Sequence, residues 1–149
     1  MHFNVRSMLY WTEWGTAARI RKASMDGSTK TTIHDANITR PYSLAIDLNF
    51  QMLYWGDETY RRIETSTVNG AHRRVITNIG IDRPFSLSLF ANNLYLSDWT
   101  FGVRSVNKSG EEAPTTIYNN FCQFIYPYGL RMISIQRQPQ GIAITIRRK

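Results

Sequence analysis

Short apolar runs that each end in an acidic residue recur along the chain, spaced by about forty residues. They occupy residues 9–13 (LYWTE), 53–57 (LYWGD) and 94–98 (LYLSD). A run of this length, bounded by polar residues, predicts a buried β-strand. Self-similarity at this period indicates a repeat architecture, and in a β-rich sequence it favours the blades of a propeller.

Three further elements follow each apolar run in the same order. A second strand-like segment ends at a hairpin signal that contains glycine. A short β-branched stretch comes next, and a Pro-aromatic-small-Leu motif closes the unit. This order predicts an all-β fold of four-stranded antiparallel blades, about three in number, with repeats over about residues 9–52, 53–93 and 94–139. The hairpin glycines are Gly27, Gly70 and Gly110, the β-branched stretches are 31–33, 74–76 and 115–117, and the closing motifs are 41–44, 84–87 and 127–130.

These units resemble the YWTD repeats, also called class B repeats, of the low-density-lipoprotein receptor family. Residues 10–13 (YWTE) differ from the YWTD motif that names these repeats by one conservative replacement, glutamate for aspartate. Residues 20–27 are similar to the family's I-x-x-x-x-M-D-G strand and turn. Residues 137–139 (RQP) are similar to the tripeptide with which these propellers often end. The resemblance covers about residues 9–139.

The resemblance implies a propeller that normally closes with six blades. We therefore expect residues 1–139 to form an open arc of about three blades, and residues 140–149 to be a diverged basic tail. An arc leaves an exposed edge at each end, so we expect self-association through those edges. The simplest interpretation is that the chain is a fragment of a larger ectodomain.

The repeated motif has structural roles in this interpretation. Its aromatic side chains supply large wedges for packing between twisted sheets. Its acidic residue closes an apolar strand and must find hydrogen-bond donors, and the resemblance implies backbone N–H groups of an adjoining blade. Replacing Asp57 by asparagine is expected to cost about 1–3 kcal/mol of stability. The aromatic members are Tyr10, Trp11, Tyr54, Trp55 and Tyr95, and the acidic members are Glu13, Asp57 and Asp98.

Ligand contacts are expected at the residue after the acid, which is Trp14, Glu58 and Trp99 in the three repeats. By register this position emerges at one rim of the arc, and the resemblance makes that rim the ligand face. Exposed tryptophan beside arginine is a common composition of binding hot spots, and Arg19 and Arg104 follow the two tryptophans by five residues. The alternative is that both indoles merely cover the blade ends.

The chain carries a net charge of +7, and basic domains bind nucleic acids, polyanions or acidic proteins. Its basic residues are spread along the sequence, so the pattern favours solvated loop charges over a nucleic-acid site. The resemblance favours extracellular, acidic protein partners. No apolar run reaches the ~18 residues of a transmembrane helix, so membrane attachment is expected only through parts outside this chain.

Catalytic patterns are sparse. His2, His34 and His72 do not lie at metal-ligand spacing and are expected in loops or at a terminus, and hydrolase and phosphate-loop motifs are absent from the sequence. No cofactor and no metal are expected. The sequons at Asn37 and Asn107 fall in predicted loops, where each is a candidate glycosylation site.

The preferred function is a non-enzymatic, extracellular or cell-surface ligand-binding module of a receptor related to the low-density-lipoprotein receptor. Both the endocytic type and the Wnt co-receptor type remain open. Two alternatives are kept: a matrix propeller of the nidogen type, which binds laminin, and a propeller enzyme such as a lactonase or sugar dehydrogenase.

Overall fold

The computed structural model describes residues 8–118, and this part of the chain forms three antiparallel β-sheets. Within it there is no helix long and apolar enough to cross a membrane. The first sheet contains β1 (Met8–Glu13), β2 (Arg19–Ser24) and β3 (Lys30–His34); the second contains β4 (Pro41–Asp47), β5 (Met52–Asp57), β6 (Arg62–Thr67) and β7 (Arg74–Thr77); the third contains β8 (Pro84–Phe90), β9 (Asn93–Asp98), β10 (Gly102–Asn107) and β11 (Thr115–Tyr118).

Each sheet is a meander in which strands that follow one another in sequence pair antiparallel. The strands β4 and β8 contact each other and are therefore the innermost strands of their blades. Both begin at the proline of a closing motif, so this motif starts the next blade instead of completing its own. The third closing motif, at residues 127–130, and the tail expected over residues 140–149 lie outside the described residues.

Two apolar cores lie between the sheets, and the aromatic pair of the motif divides between them. Trp55 is fully buried in the core between the first and second sheets, together with Ile20 and Leu53. Tyr54 packs into the core between the second and third sheets with Leu94. Because successive side chains of a strand point to opposite faces of a sheet, two adjacent aromatic residues on β5 serve two different blade interfaces.

The hairpin tips of the second and third blades each rest on the outer strand of the blade before. Gly70 has a φ of +90°, and a Cβ added there would lie 3.1 Å from the carbonyl oxygen of Ile33. Gly110 has a φ of +76° and approaches the carbonyl of Ile76 even more closely. Glycine is needed at both positions because the left-handed conformation and the close backbone contact each disfavour a side chain.

The linkers between blades are held by arginine side chains. Asn37 and Gly80 both have positive φ, at 54° and 61°, and each directs its carbonyl to a guanidinium group of the following blade. Arg73 donates to Asn37 O at 2.9 Å and to the buried carboxylate of Glu64 at 2.7 Å. Arg104 donates to Gly80 O at 2.8 Å. The second and third blades therefore make the same linker contact with arginine residues from different positions of the repeat.

Candidate functional site

The acidic residue of the second repeat is surrounded by backbone donors. Asp57 is 2% exposed. Its Oδ2 accepts the N–H groups of Thr39 and Arg40 at 2.9 and 3.1 Å, and its Oδ1 accepts those of Thr59 and Tyr60 at 2.9 and 3.2 Å. The first pair of donors belongs to the linker that leads into the blade, and the second pair to the β5–β6 turn. One carboxylate thus joins the linker to the blade.

The third repeat reproduces this arrangement. Asp98 is fully buried, and its Oδ2 accepts the N–H groups of Asp82 and Arg83, both at 2.9 Å. Its Oδ1 accepts those of Thr100 and Phe101 at 2.9 and 3.0 Å. Because four N–H donors occupy the oxygens of each carboxylate, this position fixes the loops at one end of the sheets.

The first repeat departs from this pattern because its acid is a glutamate. Glu13 accepts the indole N–H of Trp11 at 2.9 Å and pairs with the guanidinium groups of Arg19 and Arg21 at 2.5 and 3.4 Å. The hydrogen bonds from Trp11 and Arg19 lower the pKa of Glu13.

The acidic end of the sheets carries a row of four aromatic rings in contact, here called the aromatic ladder: Trp14, Tyr42, Phe85 and Trp99. Tyr42 and Phe85 stack at 4.8 Å between ring centroids, and Phe85 and Trp99 stack at 4.1 Å. Trp14 meets Tyr42 edge-on at 6.0 Å and is 66% exposed. The ladder therefore runs across all three blades and ends in an exposed indole.

A charged row lies beside the aromatic ladder and consists of Arg40, Glu58 and Arg83. The Glu58 carboxylate pairs with Arg40 Nη1 at 3.1 Å and with Arg83 Nε at 3.3 Å. The guanidinium of Arg83 also lies 5.7 Å from the ring centroid of Trp99. The row borders a cavity of about 450 Å³ between the second and third blades. Its other lining residues are Thr39, Thr59, Arg61 and Asp82.

Tyr42 connects the ladder to the charged row. Burial, followed by the negative charge of Glu58, raises the pKa of Tyr42. Together the aromatic ladder and the charged row form one continuous surface, here called the rim, with large apolar rings next to charges of both signs.

The structure brings three of the five predicted ligand residues together on the rim: Trp14, Glu58 and Trp99. The other two are engaged by the fold. Arg19 pairs with Glu13, and Arg104 donates to the carbonyl oxygens of Gly80 and Pro114.

Sequence reasoning missed four members of the rim: Arg40, Tyr42, Arg83 and Phe85. They belong to an Arg-Pro-aromatic tripeptide that occurs at residues 40–42 and again at 83–85. The repetition of this tripeptide is the sequence signal that could have identified these four residues. On each inner strand the proline is buried and the aromatic residue beside it is only partly buried. The alternation of the strand therefore directs the ring towards the rim while the proline packs inside.

A sequence model described as low-density lipoprotein receptor repeat class B matches residues 7–48. The chain is built from low-density lipoprotein receptor class B repeats. It is 35% identical to vitellogenin receptor Yl of Drosophila melanogaster over 109 residues, or 72% of the chain. It is also 35% identical to the vitellogenin receptor of Solenopsis invicta over 114 residues, or 75% of the chain. The chain spans about 6% of the length of each of these receptors.

The class B repeats also match a solved structure. A chain in the crystal structure of a nidogen–laminin complex aligns with a TM-score of 0.76 at 25% sequence identity. The alignment covers 87% of this chain and 49% of the other. The prediction of a partial β-propeller made of class B repeats is therefore confirmed.

The two sequons of these class B repeats lie in different surroundings. Asn37 is exposed in the linker between the first two blades, with a φ of 54°. The side chain of Asn107 accepts the N–H of Ser109 at 2.9 Å and so shapes the β10–β11 hairpin. Glycosylation at either position stays a prediction.

The expectation that His34 is an exposed loop residue is wrong. His34 ends β3 and is partly buried between the first two class B blades. Its ring lies 5.1 Å from that of Trp55, and its Nε2 is 2.9 Å from Ser66 Oγ. Burial, followed by the positive charge of Arg73, lowers the pKa of His34, and Asp35 opposes the shift.

This environment predicts a pH-dependent stability. Because the folded-state pKa is lowered, the unfolded chain binds the proton more readily, and the stabilising contribution is lost as the pH falls below the usual histidine pKa of about 6.5. We expect the free energy of unfolding in urea to fall more between about pH 7.5 and pH 5 in the wild type than in His34→Gln. His72→Gln changes an exposed residue and should keep the wild-type pH dependence. Equal slopes for wild type and His34→Gln would contradict this role of His34.

Proposed function

We propose that this chain is an extracellular protein-binding module of an endocytic receptor related to the low-density-lipoprotein receptor, and that its rim binds the ligand without catalysis. The observation that carries the proposal is the aromatic ladder, which crosses three blades and lies beside paired arginine and glutamate side chains. Aromatic and arginine side chains at the centre of a contact surface supply most of the energy in protein–protein binding.

The rim suits a folded protein or a peptide better than a small substrate. Its cavity is shallow and lined mainly by polar and charged groups, whereas small-molecule sites are enclosed and mostly apolar. The carboxylates of Asp57 and Asp98 are fully used by backbone donors, which supports a structural role for both. Trp14, Trp99 and Glu58 are the proposed contacts, with Arg40, Tyr42, Arg83 and Phe85. Arg19 and Arg104 are proposed to support the fold beneath the rim.

The relatives favour the endocytic type over the Wnt co-receptor type, since two of them are named vitellogenin receptors. A lipoprotein of the vitellogenin class is accordingly the first ligand to test. The second candidate is a matrix propeller that binds laminin, and the structural match to a chain of the nidogen–laminin complex favours it. Among residues 8–118, no observation favours a propeller enzyme.

Binding to immobilised chain, measured by surface plasmon resonance, distinguishes these candidates. Vitellogenin and laminin are the two probes, and serum albumin is the control protein. We expect vitellogenin to bind, and we expect Trp14→Ala and Trp99→Ala each to weaken the complex by about 2 kcal/mol, or roughly thirtyfold in Kd. Phe50→Ala is the matched control because Phe50 is 74% exposed in the β4–β5 turn, away from the acidic end.

Three outcomes would count against the proposal. Binding to laminin but not to vitellogenin would favour the function of a matrix propeller over that of an endocytic receptor. Binding to neither probe would overturn the assignment as a receptor module for these ligands. Wild-type binding by both tryptophan variants, with thermal unfolding unchanged, would show that the ligand face lies elsewhere.

A further inference from the structure

The arginine side chains of the rim and its cavity are much more exposed than the carboxylates with which they pair. The side chains of Arg40, Arg61 and Arg83 are 52%, 70% and 47% exposed. Those of Glu58 and Asp82, which form ion pairs with them, are 17% and 21% exposed. Because the carboxylates lie deeper, an approaching ligand meets positive charge first. The three arginines are here called the arginine cluster.

The arginine cluster surrounds one cavity. Its central member, Arg83, places Nε 3.3 Å from the Glu58 carboxylate and 3.9 Å from that of Asp82. Arg40 Nη1 reaches Glu58 at 3.1 Å, and Arg61 Nε reaches Asp82 at 3.2 Å. All five residues line the cavity of about 450 Å³ between the second and third blades. Two carboxylates therefore hold three guanidinium groups around this cavity, and one positive charge is left in excess.

The ion pairs of the arginine cluster leave hydrogen-bond donors for a ligand. A guanidinium group carries five N–H donors, and each of these pairs uses one nitrogen of its arginine. The Asp82 carboxylate also accepts the hydroxyl group of Thr100, so it is occupied from two sides. Arginine binds a carboxylate through two parallel N–H groups. The arginine cluster can therefore donate to a further carboxylate in the cavity.

Aromatic rings border the arginine cluster on the side of the third blade. The guanidinium of Arg83 lies 5.7 Å from the ring centroid of Trp99, and Trp99 stacks on Phe85 at 4.1 Å. Both rings are only partly buried, so an apolar side chain next to a bound carboxylate can rest on them. A chain of sulfate groups would instead bring further negative charge next to Glu58 and Asp82. The surroundings of the cavity thus favour an acidic protein over a polyanion.

We propose that the rim recognises an acidic side chain of its protein ligand, and that the ligand carboxylate enters this cavity and pairs with the arginine cluster. The next apolar residue of the ligand then packs on Phe85 and Trp99. This inference rests on the proposed function and names the chemistry of the ligand. The net charge of +7 on the chain favours the same class of partner, since opposite charges speed association.

A random copolymer of glutamate and tyrosine, labelled with fluorescein, tests this inference because it presents carboxylates beside aromatic rings. Fluorescence anisotropy gives its Kd for the 149-residue chain. The matched copolymer of lysine and tyrosine should bind about tenfold more weakly, or less. Arg61→Gln and Arg83→Gln should each raise the Kd of the glutamate copolymer about tenfold, as expected for the loss of a charge-assisted hydrogen bond.

The matched control is Lys30→Gln. It removes one exposed positive charge at the start of β3, at the end of the sheets opposite to the rim, and it should keep the wild-type Kd. Circular dichroism and thermal unfolding show whether each variant folds. Arg61→Gln is the deciding variant if Arg83→Gln does not fold, because the Arg61 side chain is the most exposed of the cluster.

Two outcomes overturn the inference directly. One is equal binding of the glutamate and lysine copolymers by the wild type, and the other is an unchanged Kd for the glutamate copolymer in folded Arg61→Gln. Labelled heparin is measured in parallel. If Arg61→Gln weakens the binding of heparin but not that of the glutamate copolymer, the arginine cluster serves a sulfated polyanion and the inference is wrong.

Vitellogenin separates this inference from the proposed function. Vitellogenin binding that depends on Trp99 but not on Arg61 would support the receptor function and overturn the acidic side chain as its ligand group. Binding of the glutamate copolymer through Arg61, without binding of vitellogenin or laminin, would support the carboxylate site and overturn the receptor assignment.

Discussion

Replacing Asp57 by asparagine is expected to lower the free energy of unfolding by about 3 kcal/mol. The carboxylate accepts four backbone N–H groups, two at each oxygen. An amide keeps one acceptor oxygen but turns its NH₂ group towards the other two donors, which are then left without a partner in a buried site. Urea denaturation at pH 7 measures the loss.

The control for this prediction is Asp26→Asn. Asp26 lies in an exposed hairpin, where its Oδ1 accepts the N–H of Ser28 at 2.9 Å and the hydroxyl groups of Ser24 and Ser28 at 2.5 and 2.7 Å. An amide oxygen can accept bonds in the same place, and the site is open to water, so the same chemical change should lower stability much less than Asp57→Asn does. Similar losses for Asp57→Asn and Asp26→Asn would show that the four backbone contacts contribute little.

Replacing Gly56 by valine is expected to lower the free energy of unfolding by about 3 kcal/mol. Gly56 is buried in β5, where an added Cβ would lie 2.6 Å from Pro84 Cγ and 2.7 Å from Ser43 Oγ. The serine can rotate, but the proline ring is rigid and starts the inner strand of the next blade. A larger residue therefore has to push two blades apart, and a chevron analysis or urea titration would detect the loss.

The first repeat supplies the control for Gly56→Val, because it already has the β-branched Thr12 at the equivalent position. Thr12 is only partly buried, so Thr12→Val should change the free energy of unfolding by less than about 1 kcal/mol. A Gly56→Val protein with wild-type stability would mean that the second and third blades can separate without cost.

The local features of the repeat follow from sequence alone. Alternation along β5 sends Trp55 and Tyr54 to opposite cores, and a left-handed turn needs glycine at Gly70 and Gly110. These features depend on neighbours within a few residues, so periodicity and residue type suffice to predict them. The acidic residue also follows this rule, since a carboxylate at the end of an apolar strand requires donors.

Only the tertiary structure decided which side chains reach the rim and which hold the blades together. The hydrogen bond from Arg104 to the carbonyl oxygen of Gly80 is one example, because it forms only when two blades pack. Tyr42 and Phe85 are 43 residues apart in the sequence and stack because their inner strands lie side by side. Contacts of this kind depend on the rotation between neighbouring blades, and a spacing along one chain carries no information about that rotation.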